Sequence, residues 1–212
     1  MDKQPPQYRR ERLLGEGGMG KVYLAHDIQL QRKVAIKDLI NQPQNENVNH
    51  ALNEARLLAR VNHSNIIQIY NIIDENNQIS LVMEYFASKT LSQFQQENHL
   101  TLIQKLALLQ QLAAGLAHAH KNNVVHCDLK PSNILVNEQG QLKITDFGIA
   151  CLTTQEDYRK KGTEQSQQSE YGCLQFMSPE QINQQQLDDR SDVFSLGIIA
   201  YQLIVGSHPF GD

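Results

Sequence analysis

The 212-residue sequence predicts an α+β protein of two lobes, in which a strand-rich first half precedes a mainly helical second half. In the first half, short segments alternate between apolar and polar residues, which is typical of β-strands. In the second half, apolar residues recur with helical spacing over 101–121, and the segment 193–205 is apolar nearly all round. We expect an N-lobe at 8–86 with a five-stranded antiparallel sheet and one helix, a C-lobe at 87–212, and a tail at 1–7.

The composition is that of an ordinary globular chain, with 40% hydrophobic and 20% charged residues. The net charge of −4 gives no general attraction to nucleic acid or to an anionic membrane. The first residues lack the apolar segment of a signal peptide, and the longest apolar run, 196–205, is too short to span a membrane. We therefore expect a cytoplasmic protein that binds no nucleic acid and has no membrane segment, with export into a host cell left open.

The chain has three cysteines, Cys127, Cys151 and Cys173. They form neither an even-numbered disulfide framework nor a paired CxxC zinc pattern. The sequence therefore favours reduced thiols, as in a cytosol.

The glycine-rich stretch Gly15–Val22 allows more than one interpretation. It nearly spells a Walker A loop, but Val22 stands where a Ser or Thr must bind magnesium. It also matches a dinucleotide-binding fingerprint, which requires a following helix, whereas residues 21–26 alternate like a strand. A glycine loop between two strands is a flap whose backbone N–H groups cover phosphates from above. Taken alone, the motif fits a plain tight turn about equally well.

Lys37 ends the strand-like segment Val34–Lys37 and shares a face with Ala35. Residues 49–61 have helical spacing, and Glu54 lies within their apolar stripe. An inward carboxylate needs a cation, and Lys37 is the natural candidate.

Two further strands are expected at 66–73 and 79–85, joined by a polar turn. Thr101 and Gln104 form a capping box that starts a helix running to about residue 121. The residues predicted to face the core from this helix are Ile103, Leu106, Leu109 or Gln110, Ala113, Leu116 and Ala117.

The loop His126–Asn133 places an acid, an amine and an amide close together between two apolar runs. Asp128 can accept a proton, Lys130 can neutralise developing negative charge, and Asn133 can offer an oxygen to a hard cation. Such a loop suits phosphoryl transfer, in which catalysis is mostly positioning and charge stabilisation. A further carboxylate suited to magnesium follows at Asp146, next to a glycine hinge.

These features occur in an order that resembles the protein kinase family, and most closely the bacterial Ser/Thr kinases of eukaryotic type. The matching motifs are Gly15-x-Gly17-x-x-Gly20-x-Val22, Val34-Ala35-Ile36-Lys37, Glu54, His126-Cys127-Asp128-Leu129-Lys130-x-x-Asn133, Asp146-Phe147-Gly148, Ser178-Pro179-Glu180 and Asp192-Val193-Phe194-Ser195-Leu196-Gly197. Any one of them could arise by chance, but their common order identifies the family. The resemblance covers the chain from about Tyr8 onward and implies a two-lobed kinase fold. It also implies transfer of the ATP γ-phosphate to a Ser or Thr hydroxyl of a protein.

The resemblance implies a role for each matched polar residue. Lys37 would hold the α- and β-phosphates of ATP and pair with Glu54. Asp128 would accept the proton of the substrate hydroxyl, and Lys130 would contact the γ-phosphate. Two Mg²⁺ ions, for which Mn²⁺ is an alternative, would be held by Asn133 and Asp146.

The resemblance also implies which residues would surround the nucleotide. The loop over the phosphates would comprise Gly15, Glu16, Gly17, Gly18, Met19 and Gly20. The residues expected around the adenine are Val22, Ala35, Met83, Glu84, Phe86 and Leu135. Among them, Met83 resembles the gatekeeper, and backbone groups of Glu84 and Phe86 would hydrogen-bond the adenine edge. Leu58, His126 and Phe147 resemble parts of the regulatory spine, which implies a structural role for His126.

Two cysteines depart from the family pattern. Cys127 replaces the Arg that normally binds a phosphorylated activation loop, so activation through that contact is not expected. Cys173 replaces a Thr whose hydroxyl normally hydrogen-bonds the catalytic Asp and Lys, and a thiol is a poor substitute. These changes leave open an alternative function as a pseudokinase or nucleotide-binding scaffold that transfers no phosphate.

The family pattern continues beyond Asp212 with further helices, so we expect an incomplete C-lobe. The segment 193–205 is apolar nearly all round, which predicts burial on every side. Where no further helix covers it, part of this surface would face water and favour self-association. Glu180 would likewise lack the Arg that normally pairs with it.

Overall fold

The protein is described here by a computed structural model. The described residues are 7–17, 20–39, 59, 61–75, 78–147, 174–183 and 185–211. Glu54 with most of its expected helix, together with Gly18, Met19, Leu58, Gly148, Cys151 and Cys173, lies outside them. The chain divides into two compact units, one made of 1–60 and 68–85 and the other of 61–67 and 86–212.

The first unit is built on a five-stranded antiparallel sheet in the order β1-β2-β3-β5-β4. Its strands are β1 (Tyr8–Gly17), β2 (Gly20–Asp27), β3 (Arg32–Leu39), β4 (Ile69–Glu75) and β5 (Gln78–Glu84). The predicted five-stranded antiparallel sheet is therefore confirmed. One boundary differs, because β4 begins at Ile69 and Ile66 instead forms a parallel bridge with Ile144 in the second unit.

The second unit combines short strands with helices. Its elements in chain order are β6 (Lys89–Thr90), α1 (Leu91–Glu97), α2 (Leu102–Lys121), a 3₁₀ turn (Pro131–Asn133), β7 (Ile134–Val136), β8 (Leu142–Ile144), α3 (Pro179–Ile182) and α4 (Asp189–Val205). The three strands form a small sheet in the order β6-β7-β8.

Helix α2 begins where the sequence predicts, since Thr101 and Gln104 form a reciprocal capping box. Of the residues predicted to face the core, only Leu116 is buried and Leu109 is half-buried, so most of the predicted core face is wrong. The buried residues are Leu108, Leu112, Gly115, Leu116 and Ala119, whereas Ile103 is 80% exposed. Apolar residues occur on more than one side of this helix, so spacing alone could not select the side that packs.

Gly115 explains which side of α2 faces the core. A Cβ at this position would lie 2.9 Å from Cδ1 of Ile144 and 3.1 Å from the carbonyl oxygen of Asn65. The missing side chain therefore lets α2 approach β8 and the segment 61–67 closely.

Asn65 ties the segment 61–67 to the rest of the second unit. Its side-chain Nδ2 donates to the carbonyl of Leu142 at 2.8 Å and to Oε1 of Gln111 at 3.2 Å. Its own carbonyl accepts from the N–H of Ile144 at 2.8 Å. Buried polar groups of this kind are stable only when paired, and here each contact holds the segment against α2 or β8.

Helix α4 is capped by Asp188 and ends at Gly206, which adopts the left-handed conformation with φ 93°. Its buried residues are Ser191, Asp192, Ser195, Ile198, Ile199 and Leu203. Val193 is 57% exposed and Val205 is 56% exposed. Part of the apolar surface therefore faces solvent, which is the outcome expected for an uncovered helix. Among the described residues, no helix is long and apolar enough to cross a membrane.

Candidate active site

One face of the first unit's sheet gathers several residues expected to meet the nucleotide. Strand register places Lys37 opposite Val22 and Ala35 opposite Met83. Opposite residues of antiparallel strands point to the same face, and so do residues two apart on one strand. These four residues therefore share one face. The apolar core of the unit lies on the other face and comprises Ala25, Val34, Ile36 and Val82.

Lys37 is 2% exposed, so its stem is enclosed by the sheet and its surroundings. The N–H of Glu84, just after the expected gatekeeper, donates to the carbonyl of Gln68 at 2.8 Å.

The glycine-rich stretch forms a hairpin between β1 and β2, with Gly15 opposite Val22 and Gly17 opposite Gly20. A strand follows Gly20, so the dinucleotide fingerprint, which needs a helix there, is excluded. Gly20 has φ 133°, and a Cβ on it would lie 1.9 Å from the carbonyl oxygen of Asp38. Only glycine fits this close approach to β3.

The loop after α2 brings together the three polar residues that the sequence singled out. Nζ of Lys130 lies 2.8 Å from Oδ2 of Asp128. Nδ2 of Asn133 donates to the backbone carbonyl of Asp128 at 2.8 Å and to its Oδ2 at 3.1 Å. The carboxylate of Asp128 is therefore fixed from two sides by a cation and an amide.

Asp146 follows β8, and the residue before it, Thr145, contacts Asn133. The N–H of Thr145 donates to the carbonyl of Asn133 at 3.0 Å. The described residues contain no cluster of three or more His, Cys, Asp or Glu side chains that could hold a metal. An amide oxygen and a carboxylate fit Mg²⁺, which typically takes one or two protein oxygens and completes its shell with water and phosphate.

Two residues of the loop region have a backbone conformation that is unusual outside glycine. Cys127 has φ 61° and Asp146 has φ 62°. Such conformations persist only when the surrounding structure holds them, and they cluster at functional sites.

His126 is fully buried and is held by its neighbours. Its Nε2–H donates to the carbonyl of Thr145 at 2.9 Å, and its Nδ1 accepts from the N–H of Asp128 at 3.2 Å. Its ring lies 4.7 Å from that of Phe147. Both ring nitrogens are engaged within the protein, which supports the structural role expected for this residue.

Asp192 of α4 holds the backbone of the loop by hydrogen bonds, a role that the sequence did not reveal. This carboxylate is 1% exposed and accepts from the N–H of His126 at 2.7 Å and from that of Cys127 at 2.9 Å. It also accepts from Nε2 of His120 at 2.8 Å. The hydrogen bond to Asp192 raises the pKa of His120, although burial acts in the opposite direction.

The expectation of reduced thiols is wrong for Cys127, which is disulfide-bonded. An odd number of cysteines still leaves room for one disulfide and one free thiol. Because pairing depends on distance in the fold, the cysteine count could not exclude a disulfide.

Glu180, for which no Arg partner was expected, accepts a hydrogen bond from Oγ of Ser191 at 2.6 Å. This hydrogen bond is the main cause that lowers the pKa of Glu180. The carboxylate therefore links α3 to the first turn of α4.

The remaining expected adenine contacts, Leu135 on β7 and Phe86, belong to the second unit. Leu135 is half-buried, and Nζ of Lys143 lies 5.7 Å from the centroid of the Phe86 ring. The structure thus presents one group of predicted residues on the sheet of the first unit and another on the loop and small sheet of the second.

A five-stranded antiparallel sheet, followed by a helical unit whose loop carries Asp128, Lys130 and Asn133, defines the class of two-lobed phosphoryl-transfer folds. The chain belongs to the protein kinase family, since the family description "Protein kinase domain" matches residues 8–212. It is 37% identical over 207 residues to the serine/threonine-protein kinase PrkC of Bacillus subtilis, covering 96% of this chain and 31% of that protein. It is also 37% identical to the serine/threonine-protein kinase pkn3 of Myxococcus xanthus, covering 96% of this chain and 38% of that protein. The chain therefore spans about a third of the length of these relatives.

Solved structures show the same fold. The kinase domain of PknI from Mycobacterium tuberculosis, solved as a single-substitution variant, aligns with a TM-score of 0.74 at 23% identity. The alignment covers 96% of this chain and 75% of that one. The two-lobed kinase fold predicted from the sequence is confirmed.

Proposed function

We propose that the chain is the catalytic domain of an ATP-dependent protein serine/threonine kinase that acts in the cytoplasm. The observation that carries the proposal is the arrangement of Asp128, Lys130 and Asn133 within hydrogen-bond distance of one another. The relatives are named serine/threonine-protein kinases, and none of these names supports the pseudokinase alternative.

In the proposed reaction, the oxygen of a Ser or Thr hydroxyl bonds to the γ-phosphorus of ATP while the bond from that phosphorus to the β–γ bridging oxygen breaks. The carboxylate of Asp128 accepts the hydroxyl proton. Lys130, already 2.8 Å from that carboxylate, brings a positive charge to the phosphoryl group as it transfers. ADP is the leaving group.

The metal ligands in this proposal are the side-chain oxygens of Asn133 and Asp146. The amide nitrogen of Asn133 is turned to Asp128, so its oxygen is the atom that can bind a cation. Bound Mg²⁺, or Mn²⁺ as the alternative, would neutralise charge on the phosphates. Lys37 would contribute a further positive charge from the sheet of the first unit.

The test is transfer of label from γ-labelled ATP to a basic protein substrate by the wild-type chain and by Asp128→Asn. The substitution keeps the shape of the side chain and removes its basicity, so we expect the rate to fall by roughly 10²- to 10⁴-fold. Glu138→Gln, which neutralises an exposed carboxylate on the turn between β7 and β8, is the matched control. Equal labelling by wild type and Asp128→Asn would refute the proposal.

We also propose that the chain self-associates through apolar side chains exposed on α2 and α4. Ile103 and Leu106 on α2, and Val205 on α4, are each at least half exposed. Exposed apolar groups in one region favour association. Light scattering should show a mass that falls when Ile103 and Val205 are both changed to Ser, and a monomeric wild type would contradict this.

A further inference from the structure

Gln181 lies on α3, outside the residues assigned to catalysis, yet its side chain contacts the loop His126–Asn133. Its Nε2 donates to the carbonyl of Cys127 at 2.5 Å. Its Oε1 accepts from the N–H of Ser178 at 2.9 Å, within the capping box that starts α3. The two ends of one amide therefore join the start of α3 to a loop 54 residues earlier in the chain.

The carbonyl that Gln181 binds is a critical one for the position of Asp128. It belongs to the peptide group that joins Cys127 to Asp128. The N–H of that same peptide donates to Nδ1 of His126 at 3.2 Å. Gln181 and His126 thus hold the oxygen and the nitrogen of one peptide plane, and that plane sets the direction in which the Asp128 side chain leaves the backbone.

The conformation of Cys127 makes this support necessary. Its φ of 61° is in the left-handed region, which a side chain other than glycine rarely adopts. Asp192 accepts from the N–H of Cys127 at 2.9 Å, on one side, and Gln181 donates to its carbonyl on the other. Removing either contact takes away one of the restraints that hold this uncommon conformation.

We propose that Gln181 is a positioning residue for phosphoryl transfer, which fixes Asp128 by holding the peptide that precedes it. This inference rests on the proposed kinase function. Gln181 itself touches neither phosphate nor hydroxyl in this proposal. Its effect is on the rate of the bound complex and not on nucleotide affinity.

The first measurement separates kcat from KM in Gln181→Glu. This variant keeps the side-chain length and the oxygen that accepts from Ser178, but it can no longer donate to the Cys127 carbonyl. We expect kcat to fall by roughly 10- to 100-fold, because small displacements of a catalytic group reduce rates on this scale. KM for ATP should stay within about twofold of wild type, since the substitution removes no nucleotide contact. Gln181→Lys, which restores an N–H donor, should recover part of the lost rate.

Two controls distinguish positioning from a general loss of structure. Asn183→Ala changes an exposed side chain on the same turn and should leave kcat unchanged. Ser178→Ala removes the side-chain cap of α3 while keeping the Gln181 amide, so it should lower the melting temperature more than kcat. If Gln181→Glu lowers the melting temperature and leaves kcat unchanged, Gln181 is only structural and the proposal fails.

A second measurement keeps the proposal testable if the wild-type chain transfers no phosphate and the kinase function itself fails. Hydrogen–deuterium exchange followed by mass spectrometry reports the backbone of peptide 125–130 directly. Gln181→Glu should exchange faster there than wild type, and Asn183→Ala should not. Identical exchange in wild type and Gln181→Glu would overturn the positioning role whatever the activity.

Discussion

The imidazole rings of His63 and His118 stack with their centroids 4.9 Å apart. His63 belongs to the segment 61–67 and His118 to the last turn of α2, so the pair lies where that segment meets the helix. Nδ1 of His63 also accepts from the N–H of Asn65 at 3.1 Å. A proton on that nitrogen would break the hydrogen bond and place positive charge against a second imidazole.

The first prediction concerns acid stability. Burial lowers the pKa of His63, and the charges of His118 and Lys143 lower it further. His63 therefore binds a proton more readily in the unfolded chain. Stability is lost as the pH falls below about 6.5, the pKa of histidine in the unfolded chain. His63→Gln should flatten the loss of unfolding free energy between about pH 7 and about pH 5, measured by urea denaturation. An unchanged slope would contradict the prediction.

His120 should show the opposite dependence. Its hydrogen bond to Asp192 raises its pKa, so the folded state holds the proton more tightly. This stabilisation is fully present below the unfolded pKa of about 6.5 and is lost as the pH rises through the folded value. His120→Gln should remove that loss in the same urea series extended to alkaline pH. His99→Gln, at an exposed position after α1, is the control and should behave as wild type.

Two glycine substitutions should change stability in opposite directions. Gly115→Ala places a Cβ 2.9 Å from Ile144 and 3.1 Å from the Asn65 carbonyl, so we expect destabilisation of about 1–3 kcal/mol. Gly197→Ala on α4 meets nothing within 4 Å and should stabilise by about 0.5–1 kcal/mol through its better helix propensity. Chemical denaturation of the two variants side by side checks both signs. A stabilised Gly115→Ala would show that the close approach of α2 is wrong.

The disulfide at Cys127 predicts a pattern of chemical labelling. In a denaturant without reductant, iodoacetamide should leave Cys127 unmodified, because a disulfide sulfur is not a nucleophile. After reduction the same peptide should carry the label. Mass spectrometry of the digested protein reads out both states, and label on Cys127 before reduction would be the contrary result.

Local sequence patterns predicted the elements whose determinants are local. The capping box of Thr101 and Gln104 fixed the start of α2, and the alternation around Lys37 predicted the face that it shares with Ala35. The glycine-rich hairpin was also predicted, because a strand pattern follows it directly. In each case the decisive residues lie within a few positions of one another.

The features that the sequence missed depend on residues distant in the chain. Asp192 meets the N–H of Cys127 across 65 positions, and Gln181 meets the carbonyl of Cys127 across 54. Apolar spacing also selected the wrong side of α2, because the close contact at Gly115 involves Asn65 and Ile144. Such pairings follow from the assembled fold, and no local pattern encodes them.

The membership of residues 61–67 in the second unit has a consequence for dissecting the protein. The chain changes unit after residues 60, 67 and 85, so no single cut separates the two units into contiguous pieces. A fragment ending at residue 85 would retain Asn65 without its partners Gln111 and Leu142, and a fragment beginning at residue 86 would lack the Asn65 backbone that lies against Gly115 of α2. The two units are therefore distinct by their contacts but interleaved in sequence. A stable fragment of the second unit would have to include residues 61–67 as a separate peptide.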